Sequence, residues 1–167
     1  MRSVIGIDCG VSGAIAFLTE NSIRVWDMPC VLKARPGKPA KREVDPAGVA
    51  NILGALPSRD YQTVVYVEQV SAMPGQGVTS MFGLGRSYGV VLGVCSALHL
   101  PTQTVSAQAW KKALDLTRDK GLSRAKAAAR WPEKAVLFQA VKDDGRAEAA
   151  LLAWYGFQRL SSISGVT

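Results

Sequence analysis

The chain has 167 residues, 48% of them hydrophobic, which suits one domain spanning 1–167 with a sizeable core and leaves too little length for two large ones. Twenty Lys and Arg against thirteen Asp and Glu give a formal charge of +7, so a polyanionic partner is expected, although charge does not fix a fold. Three unpaired-looking cysteines (Cys9, Cys30, Cys95) and a single histidine, His99, argue against a disulfide framework or a zinc site, and no run of 18 or more apolar residues marks a membrane span. The N-terminus enters strand-like sequence directly, so a soluble, unprocessed protein in a reducing cytoplasm, with no membrane partner, is expected.

In chain order, Val4 to Asp8, Ala14 to Leu18 and Ile23 to Met28 read as three strands of an antiparallel meander, with Gly10, Gly13 and Asn21 in the turns. KARPGKPAKR then reads as a flexible basic loop. Asp45 and Pro46 stand in the order of an N-cap and a first-turn proline, opening a helix to about Leu56. Thr63 to Glu68 is β-branched and aromatic, hence a fourth strand, and MPGQG is a flexible connection. A long helix follows from Val78 to about Leu98, with Gly83, Gly85, Gly89 and Gly93 spaced to let another helix approach closely. Thr102 to Val105 makes a short fifth strand, and Ala107 to Leu114, Ser123 to Trp131 and Asp144 to about Leu160 are helical. The order predicts an α/β domain with a mixed five-stranded sheet, three antiparallel strands and then two parallel ones.

Three acidic residues stand where apolar elements run out: Asp8 in VIGIDCGVSG, Glu68 in VVYVEQV and Glu148 in DDGRAEAALLAWY. Carboxylates so placed are costly unless a cation meets them, so they read as one divalent-metal site assembled from distant parts of the chain. Asp8 has a plainer reading as a turn residue bonding backbone amides, and Glu148 as a surface residue paired with Arg146 or Lys142. Cations cluster twice. Lys111, Lys112, Arg118, Lys120, Arg124, Lys126, Arg130 and Lys134 face only three acids between 111 and 134, and Lys33, Arg35, Lys38, Lys41 and Arg42 crowd the basic loop. Either cluster alone reads as a solvated surface; two of them beside a carboxylate site point to phosphate contact.

GIDCGVSG, VEQV, SAQAWKK, GLSRAKAAA and DGRAEAALLA, in that order over Ser3 to Trp154, resemble the RuvC-type Holliday junction resolvases, of a bacterial or phage branch. The resemblance implies an RNase H-like fold with helices on both sheet faces and a nuclease of branched DNA, above all four-way junctions, in a bacterial cell or encoded by a phage. It also implies a homodimer, with the glycine-marked helix as its surface, and products with a 5′-phosphate and a 3′-hydroxyl. Lys111 and Lys126 match family positions at the scissile or adjacent phosphate, with Lys112, Arg124, Lys38, Lys41 and Arg42 as further DNA contacts. Relatives carry an aromatic soon after the fourth-strand glutamate; here Ser71, Ala72 and Met73 stand there. Phe82 and Tyr88 are the aromatic alternatives, each also readable as a core or dimer-helix residue.

Hydrolysis of a phosphodiester needs negative charge stabilised on the attacking and leaving oxygens, which two Mg2+ ions (or Mn2+ in their place) do together. Asp8 would bridge both ions, with Glu68 on one and Glu148 on the other. The final helix departs from the family, because Gly145 occupies the position three before Glu148. Asp144, four before and on nearly the same face, is the expected fourth ligand rather than Asp143, though a helix N-cap explains Asp144 equally well. Two other classes fit parts of the sequence. A catalytically weak junction-binding module would keep the basic surface, and a nucleotide-binding phosphotransferase of the actin and sugar-kinase type would use DCGVSG as a phosphate loop but needs two domains.

Overall fold

The computed structural model describes residues 2–57, 62–72 and 75–163, with side chains as far as residue 160. The strands are β1 (Arg2–Asp8), β2 (Ala14–Thr19), β3 (Ile23–Asp27), β4 (Cys30–Arg35), β5 (Lys38–Val44), β6 (Gln62–Glu68) and β7 (Thr102–Val105). The helices are α1 (Pro46–Gly54), α2 (Val78–Ala97), α3 (Ala107–Ala113), α4 (Lys120–Arg130) and α5 (Asp144–Ile163). The expected five-stranded sheet forms in the order β3-β2-β1-β6-β7; β1 runs antiparallel to β2 and parallel to β6, and β6 parallel to β7.

Side-chain alternation divides the sheet's two faces. Ile5, Ile7, Val65 and Val67 point to the face covered by α1 and α2. Val4, Val64 and Tyr66 point to the opposite face, where α5 lies with Ala147, Ala150, Leu151 and Ala153 against the sheet. Burial of each large apolar side chain in these two layers contributes roughly 1.5–3 kcal/mol. The period of two also puts Asp8 and Glu68, the last residues of β1 and β6, on the face that α5 covers.

Helix α5 approaches β1 more closely than side chains would allow. A Cβ on Gly6 would lie 2.2 Å from the Ala149 carbonyl oxygen, and one on Gly145 would lie 2.2 Å from that of Ser12. Backbone therefore rests on backbone at both places, and the start of α5 is locked to the turn that follows Asp8.

Two expectations are corrected. The basic stretch is a β-hairpin rather than a flexible loop: β4 and β5 pair antiparallel, with Pro36 and Gly37 (φ +65°) at the turn. Helix α4 starts at Lys120, where the Asp119 carboxylate accepts from the Gly121 amide at 2.7 Å, so Lys126 lies almost two turns in rather than one. Two 3-10 segments, Pro132–Phe138 and Val141–Asp143, precede α5. Of the expected MPGQG connection, Met73 and Pro74 lie outside the described residues. Among the described residues α2 is the one helix long and apolar enough to cross a bilayer by length and composition. Its Ser87, Val91 and Cys95 are nevertheless buried along one stripe, with Val91 and Cys95 in the core shared with α1.

Candidate active site

Parallel pairing sets Ile7 beside Val67, so the next residues, Asp8 and Glu68, end neighbouring strands on one face. Glu148, one turn into α5, is 9% exposed and enters the same space. The ionisation of Asp8 records this convergence. Its pKa is raised from 3.8 to about 6, first by burial, with the charges of Glu148 and Glu68 adding to the rise and the Gly10 amide, donating to Oδ1 at 3.2 Å, opposing it. Glu68 is also raised, mainly by burial and in part by Glu148. Three carboxylates thus share one poorly solvated space.

Each has a partner that orients it. Fully buried Trp110 donates its Nε1–H to Glu68 Oε2 at 2.8 Å, and the Lys111 ammonium meets Glu148 Oε1 at 2.6 Å. Both partners come from α3, whose first turn is fixed by the Ser106 hydroxyl accepting from the Ala109 amide. Asp8, Glu68, Lys111, Lys112, Gln108 and Arg118 line one open cleft of about 930 Å³. Trp110 was not singled out from the sequence, where its place inside SAQAWKK, one residue before a lysine, was the available signal; Arg118 was named there only as one of the clustered cations.

The remaining expected residues are distributed as follows. Asp144 forms an ion pair with Arg124 and lies 3.9 Å from Lys120. It is the first residue of α5, and its expected alternative role as N-cap is not seen. The neighbour Asp143 is buried and accepts from the Ala140 amide at 2.8 Å, with the Arg146 guanidinium 3.4 Å away. Arg146 in turn makes a two-pronged contact with Asp27, at 2.6 and 2.7 Å. Lys126 does not line the carboxylate cleft; its ammonium donates to the Leu114 carbonyl oxygen at the end of α3. Lys38, Lys41 and Arg42 belong to β5, and the last two line a second cleft.

Hard oxygen donors suit Mg2+ or Mn2+, and mutual repulsion among Asp8, Glu68 and Glu148 is what a shared cation would relieve. Among the described residues, however, no group of three or more His, Cys, Asp or Glu is arranged to hold a metal ion as it stands. Lys111 already neutralises Glu148, and Arg124 neutralises Asp144. The donor set fits a divalent ion once Lys111 releases Glu148; Asp144 fits only if Arg124 also lets go.

No protein-family model matches the chain, and no curated protein matches it. Solved structures do. RuvC of Thermus thermophilus in complex with a Holliday junction substrate superposes with a TM-score of 0.57 over 96% of both chains, at 13% identity. A second structure of Thermus thermophilus RuvC gives 0.48 at 14% identity, covering 96% of this chain and 97% of that one. The yeast mitochondrial Holliday junction resolvase Ydc2 gives 0.45 at 14% identity, over 93% and 78%. The fold is therefore the RNase H-like fold of RuvC.

Proposed function

We propose that the protein is a metal-dependent endonuclease that cuts branched DNA, four-way junctions above all. One observation carries this reading: Asp8, Glu68 and Glu148, scattered over the sequence, converge, so that the charge of Glu148 adds to the cost of ionising Asp8 and Glu68, the two carboxylates that line the cationic cleft. Bound there, two Mg2+ ions would supply the electrostatic stabilisation of the attacking and leaving oxygens. Asp8, Glu68 and Glu148 would hold them, with Asp144 as an outer fourth ligand. Trp110 fixes the rotamer of Glu68, and the amide of Gly10 fixes that of Asp8. Lys111, once free of Glu148, is placed to meet a phosphate oxygen in the cleft, and exposed Lys112 and Arg118 extend the positive surface at its mouth.

A second reading rests on the Lys111–Glu148 and Arg124–Asp144 pairs, which leave two of the four carboxylates neutralised without metal. A junction-binding module with no catalysis would look the same. Labelled four-way junction, Y-fork, flap and linear duplex, each incubated in Mg2+ and in Mn2+, separate the two. The nuclease reading expects junction cleavage that Asp8→Asn, Glu68→Gln and Glu148→Gln each reduce at least a thousandfold while junction binding stays within about threefold, because affinity comes from the basic surface. A single one of these variants cutting at a tenth of the normal rate removes that residue from the site. No cleavage of any substrate by the unaltered protein favours the binding module.

A further inference from the structure

The four carboxylates divide into two pairs by what faces them. Asp8 and Glu68, at the strand ends, accept from neutral donors, the Gly10 amide and the Trp110 ring N–H, and among the described residues neither forms an ion pair. Asp144 and Glu148, one turn apart on α5, are each closed by a cation from a different helix. Lys111 of α3 meets Glu148 at 2.6 Å, and Arg124 of α4 pairs with Asp144. The α5 half of the site is thus filled by the protein's own charges, and the sheet half is not.

Both pairs are poorly solvated. The side chains of Lys111 and Glu148 are 14% and 11% exposed, and those of Arg124 and Asp144 19% each, so water and salt screen them far less than a surface pair. The same carboxylate oxygens are the ones a divalent ion would need, and an ammonium left in place would repel it. Each cation must therefore leave as a metal ion enters. Neither helix has to move for this. Trp110 is fully buried beside Lys111, and Ser123 and Ala127 bury one side of α4, so both backbones are anchored while the long, unbranched side chains can swing. The Lys111 ammonium lies 5.2 Å from the Trp110 ring centre and already lines the open cleft, so rotation of its side chain alone brings it out.

A cation drawn out of a poorly solvated pair needs another anion, and the phosphates of a bound DNA strand supply one. We propose that Lys111 and Arg124 are built-in counter-ions that hold down the affinity of the α5 carboxylates for a divalent ion until DNA phosphates draw them away, so that metal and DNA each strengthen the binding of the other. Linkage makes the effect reciprocal: the factor by which DNA raises metal affinity is the factor by which metal raises DNA affinity. The inference rests on the nuclease reading for its two ligands, DNA and a divalent ion, and adds that they bind as partners, with Lys111, the less exposed cation, as the main link.

The first arm of the test uses no DNA: Mg2+ affinity is measured by titration calorimetry. Lys111→Met keeps the stem and removes the charge, so Mg2+ should bind about tenfold more tightly than to the unaltered protein. Arg124→Met should give a rise of about threefold, because that pair is the more exposed, and it carries the test should Lys111→Met fail to fold. Lys111→Arg keeps a cation on Glu148 and should leave affinity within about twofold. Exposed Lys112 lines the same cleft without an ion pair among the described residues, so Lys112→Met, which removes the same charge, should also stay within about twofold. In the second arm junction affinity is read by fluorescence anisotropy in EDTA and in Ca2+ at one ionic strength, with the DNA checked to be intact. The gain from Ca2+ should be about tenfold larger for the unaltered protein than for Lys111→Met. A rise in Mg2+ affinity as large in Lys112→Met as in Lys111→Met, no rise in either Lys111→Met or Arg124→Met, or an equal Ca2+ gain with and without the Lys111 ammonium overturns the proposal. Junction cleavage in Mg2+ is scored separately. A protein that shows these shifts and never cuts loses the nuclease reading and keeps the coupling, and one that cuts without them loses the coupling alone.

Discussion

Helices α5 and α2 are both 20 residues long, both rich in small residues, and lie on opposite faces of the same sheet, yet they use those small residues in opposite ways. In α5 the absent side chains let backbone meet backbone, with Gly145 on Ser12 and Ala149 on Gly6. In α2 a Cβ on Gly85, Gly89 or Gly93 would meet nothing within 4 Å, and the buried stripe is instead Ser87, Val91 and Cys95. The same composition marks a closed interface in one helix and an open surface in the other. Only the closed one sets the site, because the seating of α5 on β1 fixes Glu148 opposite Asp8.

The strongest way to break this contrast is to add one methyl group on each side. Gly6→Ala puts a Cβ against the Ala149 carbonyl, where nothing can give except the backbone of α5. A loss of about 3 kcal/mol is expected, seen as a lower denaturant midpoint at unchanged slope. Residual folded protein should also cut poorly, since lifting α5 separates Glu148 from Asp8. Gly85→Ala, by contrast, should leave stability unchanged or raise it by up to about 1 kcal/mol, the helix propensity gained. Equal losses in the two variants would erase the distinction.

The pH dependence sharpens the electrostatic half. Asp8 is raised to about 6 in the fold against 3.8 ordinarily, so between those values the folded state binds the proton that the unfolded state has released. Metal-free protein should therefore lose stability as pH rises from about 4 to 6 and stay at the lower level above, Glu68 adding in the same direction. Mg2+ should restore the loss above pH 6, where the carboxylates are ionised. Asp8→Asn should flatten the profile, raise the metal-free melting temperature at pH 7.5 and reduce the Mg2+ response. A flat profile in the unaltered protein would mean that the three carboxylates do not share one poorly solvated space.

How far the sequence revealed these features follows from which of them are local. The apolar runs VIGI and VVYV placed Asp8 and Glu68 at strand ends, and the apolar residues around Glu148 placed it on a helix against the sheet; that the two strand ends share one face came only with the pairing register. The hairpin was missed because LKARPGKPAKR carries no apolar alternation; it is held by backbone pairing and by the Glu43 ion pairs rather than by a core. Lys126 was placed a turn too near the helix start because Asp119, not Ser123, caps α4. Whether a glycine stripe is filled or open depends on what the rest of the chain brings to it, which no spacing encodes.

The acidic pair before α5 gives a smaller effect with a clear split. Asp144→Asn removes the partner of Arg124, and, with Asp144 as an outer ligand, cleavage should slow about tenfold with little change in melting. Asp143→Asn replaces a buried carboxylate that accepts from the Ala140 amide, so it should cost about 1–2 kcal/mol of stability and leave cleavage per folded molecule unchanged. Reversed outcomes would exchange the two roles.

The smallest expected effect on folding belongs to Gly89→Leu, and it bears most on assembly. Position 89 lies on the open stripe, so the leucine points into solvent and the fold should hold to within about 1 kcal/mol. Gly85, Gly89 and Gly93, each four apart, would let a second copy of α2 lie backbone to backbone along the same face, the geometry we propose for a homodimer. Two-fold symmetry would then set two carboxylate clefts across one junction, so that paired cuts fall within a single bound lifetime. Leucine at the centre of that seam should hold the partner off. Light scattering should read a monomer, and a cruciform plasmid should become relaxed by single nicks where the unaltered protein makes it linear. Since folding and the metal site are untouched, nicking activity per chain is the internal control. An unaltered protein that is already monomeric on junction DNA, or a leucine variant that still dimerises and linearises the plasmid, would show that the open stripe of α2 is no interface.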